Sequence, residues 1–292
     1  MISRKLQIII ILSCFILFIV AYSRLLAGYR IESEQTFQHF LQTSKSRKDI
    51  VQVLAHVVSI NPVKGELMIR LQFEPQDDLL DEDDLLIGSV TVYTNSAAGK
   101  TDATFKKGES MQPIDVTIAM EGKSSHFPWD NYNGTLWVCL ASEREISSGN
   151  ERWTAVPFTL DLKAGVPGFR IDTREIPQKT KEFSVAEIHF KVERSNSARS
   201  FSIFIMLLIG LLTVVAFLAG FTVVAGGRKV ELTMFSWLGA QLFAMMPLRN
   251  AMPGAPPVGC LADYLSFFWA EAITAATLIA VILTWILRKP TS

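Results

Sequence analysis

The densest cluster of potential metal ligands in this chain is an acidic stretch at residues 77–84. Its carboxylates belong to Asp77, Asp78, Asp81, Glu82, Asp83 and Asp84. A calcium ion takes about six to eight oxygen ligands, and such a cluster could supply several of them. The stretch lacks the glycine and the terminal glutamate of an EF-hand loop. A solvated loop of like charges is therefore favoured over a calcium site, and no metal or cofactor is predicted.

A second candidate is an aromatic run that combines a histidine with an aspartate, His126-Phe127-Pro128-Trp129-Asp130-Asn131-Tyr132. No serine or cysteine stands at a spacing that is recognised for a catalytic triad with His126. Phe127 and Trp129 are interpreted as apolar plugs, and Pro128 fixes the backbone. Asp130 can accept backbone N–H bonds in a turn. A rigid corner that caps a β-rich domain is favoured over catalysis, so no enzymatic activity is predicted.

A third candidate is Glu271, a carboxylate within a strongly apolar segment, where a charge is costly and suggests function. It lies eight residues after Asp263, and Gln241 lies eight residues before Arg249. At about 1.5 Å rise per residue, both side chains would lie about 12 Å below their helix ends and could meet. A polar stripe on the same helix is formed by Ser266, Thr274 and Thr277. Hydrogen bonding between helices is favoured over transport as the role of these groups.

The turn before Asp263 is too rich in proline and glycine to continue a helix, which predicts an ordered, non-helical cap. Its residues include Arg249, Asn250, Pro253, Gly254, Pro257 and Gly259. Arg249 ends one apolar segment and Asp263 begins the next, so both lie at a similar depth. A salt bridge between them that pins the hairpin is therefore expected.

Apolar segments long enough to span a bilayer must position these residues. One is predicted at residues 1–26, and three more begin near residues 201, 232 and 264. The first is interpreted as an uncleaved anchor, with a signal peptide as the alternative. If the spans alternate, one side of the membrane receives the basic pairs Arg4/Lys5, Arg228/Lys229 and Arg288/Lys289. The positive-inside rule then places both termini in the cytoplasm and residues 27–200 outside it, in a multi-pass protein of the cell membrane.

Residues 27–200 change to a hydrophobic period of two, which is typical of strands. A hairpin is predicted from residues 51–57 and 67–73. Further strand candidates lie at 89–93, 114–120, 135–141, 155–162, 168–171 and 186–192. Regular turns and no strong helix predict an antiparallel β-sandwich-like domain, with residues 32–48 as a stalk or short helix. The fold class is thus an α+β membrane protein: an N-terminal anchor, this extracytoplasmic domain, and a three-helix transmembrane bundle at residues 201–292.

Composition excludes several function classes. The 292 residues carry 28 basic and 28 acidic side chains, so the formal net charge of zero does not suggest nucleic acid as a partner. The three cysteines, Cys14, Cys139 and Cys260, are too far apart in the sequence to form a CxxC motif for zinc or redox chemistry. The expected partners are the lipid bilayer and a protein partner or a second copy of the chain.

Two of these motifs resemble a known family. The run from Phe127 to Tyr132, the stretch from Arg249 to Gly259 before Asp263, and the layout of one early and three late spans are similar to domain-of-unknown-function family 4436. The resemblance extends over nearly the whole chain and implies a bacterial multi-pass membrane protein. The family carries no established activity, so the resemblance implies no catalytic residues. We therefore expect a non-enzymatic membrane protein whose external β-domain binds a ligand or partner; the alternative is an oligomeric channel or transport component that uses Glu271.

Overall fold

The computed structural model describes residues 51–76, 79–145, 151–175 and 185–288, the strand residues 37–42, and ten positions between 12 and 30. The chain is a mixed α+β structure that separates into two compact units. A β unit comprises Ile31–Lys123 and Asn131–Glu193, and a helical unit comprises Met1–Arg30, Ser124–Asp130 and Arg194–Ser292. The helical unit therefore includes a short segment that lies between two strands in the sequence.

The described strands of the β unit are β1 (Phe37–Gln42), β2 (Val51–Asn61), β3 (Glu66–Pro75), β4 (Val90–Thr94), β5 (Asp102–Phe105), β6 (Ile114–Gly122), β7 (Asn131–Glu145), β8 (Glu151–Ala155), β9 (Phe158–Ala164), β10 (Phe169–Glu175) and β11 (Val185–Arg194). Hydrogen bonds join them into one large sheet in the order β1-β9-β2-β3-β6-β7-β11-β10. In addition, β4 and β8 pair with β7, and β5 pairs with β4.

The predicted hairpin is present as β2 and β3. The side chains of Val51, Val53 and Ala55 point inward and alternate with partly exposed neighbours. Antiparallel pairing sets Val53 opposite Phe73, so that both strands bury the same face. Such alternation is expected of a strand with one face on a core, and a one-residue slip would expose every buried side chain. The hairpin residues belong to a single hydrophobic core that also draws on β4, β6, β7, β9 and β11.

Parts of the sheet differ from the sequence prediction. Within the predicted stalk, Phe37–Gln42 is a strand that pairs antiparallel with β9. Backbone pairing along an available strand edge thus overrides the weak helical pattern of this stretch. The sheet is also not wholly antiparallel, because β2 and β9 run parallel, with Val51 opposite Phe158. Local alternation identifies a strand but does not fix the direction of a partner that is distant in sequence.

The helical unit contains three long described helices, α1 (Asn196–Val224), α2 (Leu232–Asn250) and α3 (Phe268–Leu287). The hydroxyl of Ser195 accepts the N–H of Ala198 and caps the start of α1. A π-helical turn, Asp263–Phe267, leads into α3, with the N–H of Phe268 donating to the Asp263 carbonyl. Each helix contacts the other two.

Helices α1 and α3 bury several small side chains and expose several large apolar ones. On α1, Ser202, Ala216 and Gly220 are buried, whereas Leu207 and Leu211 are 68% and 62% exposed. A Cβ added at Gly220 would collide with the Thr277 side chain of α3, so the two backbones approach closely. Among the described residues, Asn196–Val224 and Asp263–Leu287 are the helices long and apolar enough to cross a membrane. The shorter α2 is not one of them.

Several predicted features lie wholly or partly outside the described residues. Most of the predicted anchor at residues 1–26 is among them, and its described positions, such as Leu12 and Val20, are helical and exposed. Asp77 and Asp78 of the acidic stretch are also outside the described residues. In the remaining part of that stretch, the Asp81 carboxylate accepts the N–H groups of Asp83 and Leu85 and closes its own turn.

Candidate functional site

Most of the candidate residues meet at one end of the helical unit. We define the polar cap as Ser124–Asp130 and Ala251–Ala262 together with Arg194, Arg249 and Asp263. These residues lie where α1 and α3 begin and where α2 ends. Two buried ion pairs and one aromatic side chain hold the polar cap together.

The first ion pair joins Arg249, in the last turn of α2, to Asp263, in the π-helical turn. Nε and Nη2 of Arg249 each donate to a different carboxylate oxygen at 2.8 Å, and the two side chains are 5% and 0% exposed. The salt bridge expected from the sequence is therefore present in a bidentate form, which is the strongest geometry for such a pair. A cation in the last turn of a helix also interacts favourably with the helix dipole.

Further bonds extend this ion pair into the proline- and glycine-rich turn. Arg249 Nη2 donates to the Pro257 carbonyl at 2.9 Å, and the N–H of Gly259 donates to Asp263 Oδ2 at 2.8 Å. The buried thiol of Cys260 lies 3.6 Å from the same oxygen. Asn250 adds only a long contact, 3.5 Å from Arg249 Nη1. The turn is thus an ordered, non-helical cap, as expected.

The second ion pair joins Arg194 to Asp130 and was missed by the sequence analysis. Arg194 Nε lies 3.2 Å and 3.0 Å from the two carboxylate oxygens, and the side chains are 3% and 0% exposed. Arg194 Nη1 also donates to the Pro253 carbonyl at 3.3 Å. Two signals in the sequence could have indicated this pair. Arg194 stands against the positive-inside pattern directly before an apolar segment, and Asp130 is the one acid in an aromatic run.

Phe127 packs among the helices, a contact that the sequence analysis did not predict. Its ring is 1% exposed and belongs to a core cluster with Ile205 of α1 and Met245 of α2. The Phe127 carbonyl accepts the N–H of Ala262 at 3.2 Å, and the Arg194 guanidinium lies 5.0 Å from the ring centroid. Trp129 is 46% exposed and is therefore not a plug. The sequence shows that the run is apolar at alternate positions, but not which surface receives it.

Gly254 allows the turn to approach Arg194. Its φ is +75°, in the left-handed region that favours glycine. A Cβ at this position would collide with the Arg194 guanidinium. The two arginines therefore clamp the turn at Pro253 and Pro257, and Gly254 leaves the space that one of them occupies.

No hydrogen bond joins Gln241 to Glu271 among the described contacts, and their predicted meeting at one depth stays a prediction. Gln241 Nε2 donates to the Leu212 carbonyl of α1 at 2.8 Å, using the second lone pair that a helical carbonyl retains. Glu271 is half-buried, and its carboxylate makes no hydrogen bond or ion pair within the described part of the chain. Thr274, one turn further along α3, is fully buried, and its hydroxyl finds no hydrogen-bond partner among the described residues. The hydroxyls of Ser266 and Thr277 instead donate to carbonyls of their own helix.

The described parts of the chain contain neither a cluster of metal-binding side chains nor a disulfide. No group of three or more histidine, cysteine or acidic side chains lies close enough there to hold a metal ion. Cys139 and Cys260 are both free. Burial raises the pKa of the Cys139 thiol, which lowers its reactivity at neutral pH.

The comparisons with known proteins match the chain to two family models. The model of a domain of unknown function (DUF4436) matches residues 41–191, more than half of the chain. The chain belongs to the DUF4436 family. A second model, another domain of unknown function (DUF8686), matches residues 194–288. No curated protein matches the chain.

The two matches divide this DUF4436 protein close to the boundary between its structural units. The DUF4436 match covers most of the β unit and includes Ser124–Asp130. The DUF8686 match begins at Arg194 and covers all three long helices. The stretch from Arg249 to Gly259 therefore lies in the second match, so the DUF4436 match does not extend over nearly the whole chain as the resemblance implied.

Proposed function

We propose that this DUF4436 protein is a non-enzymatic, multi-pass membrane protein whose β unit lies outside the cytoplasm and binds a ligand or protein partner. The observation that carries the proposal is that the helical unit exposes large apolar side chains on its outer surface. Helices α1 and α3 pack partly through small side chains and present large apolar ones, such as Leu207 and Trp269, to their surroundings. In water such a surface would be a strong aggregation liability, whereas lipid solvates it.

A three-span bundle is the arrangement that best accommodates α2. Its outward residues include Leu232 and Phe243, which are 65% and 84% exposed. Its polar groups Gln241 and Arg249 are bonded within the helical unit, so they need no contact with lipid. We propose that α2 spans the membrane with α1 and α3, and that residues 1–26 add a fourth span.

A β-sandwich is the architecture that best explains the β unit. Inward-facing residues of the hairpin, such as Val53 and Leu71, share one core with inward-facing residues of β4, β7 and β11, such as Val92, Leu136 and Ile188. Strands that fold over a common core in this way are typical of sandwich domains. Such domains present loops and edges for binding, which supports a binding role.

The polar cap supports a structural role over a catalytic one. Each guanidinium meets a carboxylate and a backbone carbonyl, and all four charged side chains are at most 5% exposed. A general base or nucleophile must reach a substrate, and these groups are already committed to neighbours. Catalysis by the purified protein, abolished by a single polar substitution, would contradict this part of the proposal.

Topology can be tested with reporter tags. One tag is inserted next to Gly99, in an exposed turn of the β unit, and another at the C-terminus. We expect the first to be reached from outside the cell and the second only from the cytoplasm. Detection of both tags in one compartment would contradict the proposed arrangement.

A second function, an oligomeric channel or transport component, is favoured by Glu271 and Thr274. A carboxylate without an internal partner among the described residues is costly within a span, and a fully buried hydroxyl without a partner stands one turn away. Ion flux through reconstituted protein tests this function. Glu271→Gln should abolish flux, whereas Glu231→Gln, at the exposed start of α2, should preserve it. Absence of flux in the unaltered protein would exclude this second function.

A further inference from the structure

One exposed tryptophan of the polar cap has buried neighbours on both sides. Trp129 is 46% exposed, whereas Pro128 and Asp130 are buried. The N–H of Trp129 donates to the His126 carbonyl at 2.9 Å within the turn. The segment is therefore firmly attached, and the exposure of this large ring is a property of the folded structure and not of a loose loop.

The start of α3 presents other exposed aromatic side chains. Tyr264 and Trp269 are 61% and 67% exposed, and Phe268 is 37% exposed. The rings of Tyr264 and Phe268 meet edge to face, with centroids 5.2 Å apart. We define the aromatic rim as Trp129, Tyr264, Phe268 and Trp269.

Two contacts hold the residues on either side of Trp129 close to the starts of α3 and α1. The Phe127 carbonyl accepts the N–H of Ala262, the residue before the π-helical turn. Trp129 follows Phe127 by two residues, so their Cα atoms are at most about 8 Å apart. The ion pair of Asp130 with Arg194 holds the other side of Trp129 at the start of α1.

The combined length of the π-helical turn and α3 places this level at the surface of a bilayer. Asp263–Leu287 contains 25 residues. At about 1.5 Å per residue they extend roughly 37 Å, which exceeds a hydrocarbon core of about 30 Å. The first residues of this segment therefore reach the headgroup layer when the helix spans the membrane. Tyrosine and tryptophan are enriched at that depth because their rings are apolar and carry one polar group.

We propose that Trp129 inserts into the boundary between the headgroups and acyl chains, beside Tyr264 and Trp269. The segment that makes this lipid contact, Ser124–Asp130, lies between β6 and β7 in the sequence. Lipid is the expected occupant because the aromatic rim continues into the exposed apolar surface of α3, at Ile279 and Leu283. The nearby charges of the polar cap are also buried in ion pairs, so they offer no charge to a protein partner. This inference rests on the proposed function, in which α3 spans the membrane.

The experiment measures quenching of tryptophan fluorescence in the full-length protein, reconstituted in phosphatidylcholine vesicles whose acyl chains carry bromine near the headgroup. The chain contains six tryptophans, so each variant removes one emitter. Trp129→Phe should lower the fraction of emission that bromine quenches. Trp137→Phe is the matched control, because Trp137 is similarly exposed, at 38%, but lies on β7. This control should raise the quenched fraction, since it removes an emitter that bromine does not reach.

Iodide in the aqueous phase should give the opposite pattern for the two variants. If Trp129→Phe raises the bromine-quenched fraction, Trp129 is not in lipid and the inference is overturned. The inference also fails if neither bromine nor iodide reaches Trp129, because a protein surface then covers it. Trp269→Phe separates this result from failure of the proposed function. If Trp269 is quenched by bromine and Trp129 is not, only the inference fails; if neither is quenched, the membrane-spanning role of α3 fails as well.

Discussion

At the scale of single residues, the pair Arg249–Asp263 does more than neutralise two charges. Asp263 also accepts the N–H of Gly259, and Arg249 also donates to the Pro257 carbonyl. Asp263→Asn should destabilise the protein by about 3–5 kcal/mol, because it leaves a buried guanidinium without its counter-charge. The free energy of unfolding in detergent micelles measures the effect.

Exchanging the two charges, with Arg249→Asp and Asp263→Arg in one chain, should rescue only part of this loss. An arginine at position 263 cannot accept from Gly259, and an aspartate at position 249 cannot donate to Pro257. Full recovery in the double variant would show that the backbone bonds contribute nothing measurable. Lack of any recovery beyond the single variants would show that the pairing itself contributes nothing.

Gly254 and Gly259 form a matched pair for testing the second ion pair. Both have a positive φ, +75° and +86°, but only Gly254 leaves space that Arg194 occupies. Replacement of either by alanine should cost about 1 kcal/mol for the left-handed backbone. Gly254→Ala should cost about 1–2 kcal/mol more, because it displaces Arg194 Nη1 from the Pro253 carbonyl. Equal thermal stabilities of the two variants would indicate that Arg194 moves away without loss.

At the scale of elements, packing between α1 and α3 depends on Gly220. A Cβ there would collide with the Thr277 side chain, whereas nothing lies within 4 Å of a Cβ at Gly210 on the same helix. Gly220→Ala should destabilise the helical unit by about 1–3 kcal/mol through overpacking. Gly210→Ala should be neutral or slightly stabilising, because alanine favours the helix. Unfolding of both variants in micelles tests the contact, and a loss at Gly210 equal to that at Gly220 would contradict it.

Elements were predictable where a short-range pattern specifies them. Alternation along Val51–Asn61 and Glu66–Pro75 marks a hairpin because its strands are adjacent in sequence. The four residues of Asp102–Phe105 are too few for alternation to be recognised, and this strand was missed. The parallel direction of Phe158–Ala164 against β2 depends on how the whole unit folds. A local sequence pattern contains no information about that direction.

The same distinction separates the two ion pairs of the polar cap. Arg249 and Asp263 lie 14 positions apart at the ends of one helical hairpin, so the lengths of the apolar segments predict that they meet. Arg194 and Asp130 lie 64 positions apart, on either side of several strands. Their meeting follows from the attachment of Ser124–Asp130 to the helices, for which the sequence has no periodic signal.

At the scale of the whole molecule, the chain enters the helical unit twice after the β unit begins, at Ser124–Asp130 and at Arg194. The core of the β unit contains no residue of Ser124–Asp130. We therefore expect a fragment of residues 31–193 to fold without the helices. Its cooperative thermal unfolding, monitored by circular dichroism at the strand signal, would establish this.

Substitution of Phe127 should then destabilise the full-length chain but not the fragment. In the full-length chain, Phe127→Ser removes a ring that packs with Ile205 and Met245, so we expect a loss of about 3–5 kcal/mol. In the fragment those helices are absent and the ring is an exposed apolar group. The same substitution should leave the unfolding midpoint unchanged and reduce self-association, measured by analytical ultracentrifugation.

Ile118→Ser is the control for this comparison, because Ile118 is 2% exposed within the core of the β unit. It should destabilise the fragment and the full-length chain alike, by several kcal/mol, since it places a hydroxyl in an apolar core. If Phe127→Ser instead destabilised the fragment as strongly as Ile118→Ser does, the ring would have to pack on the strands. Attachment of Ser124–Asp130 to the helices would then be wrong, and so would the anchoring of Trp129 that depends on it.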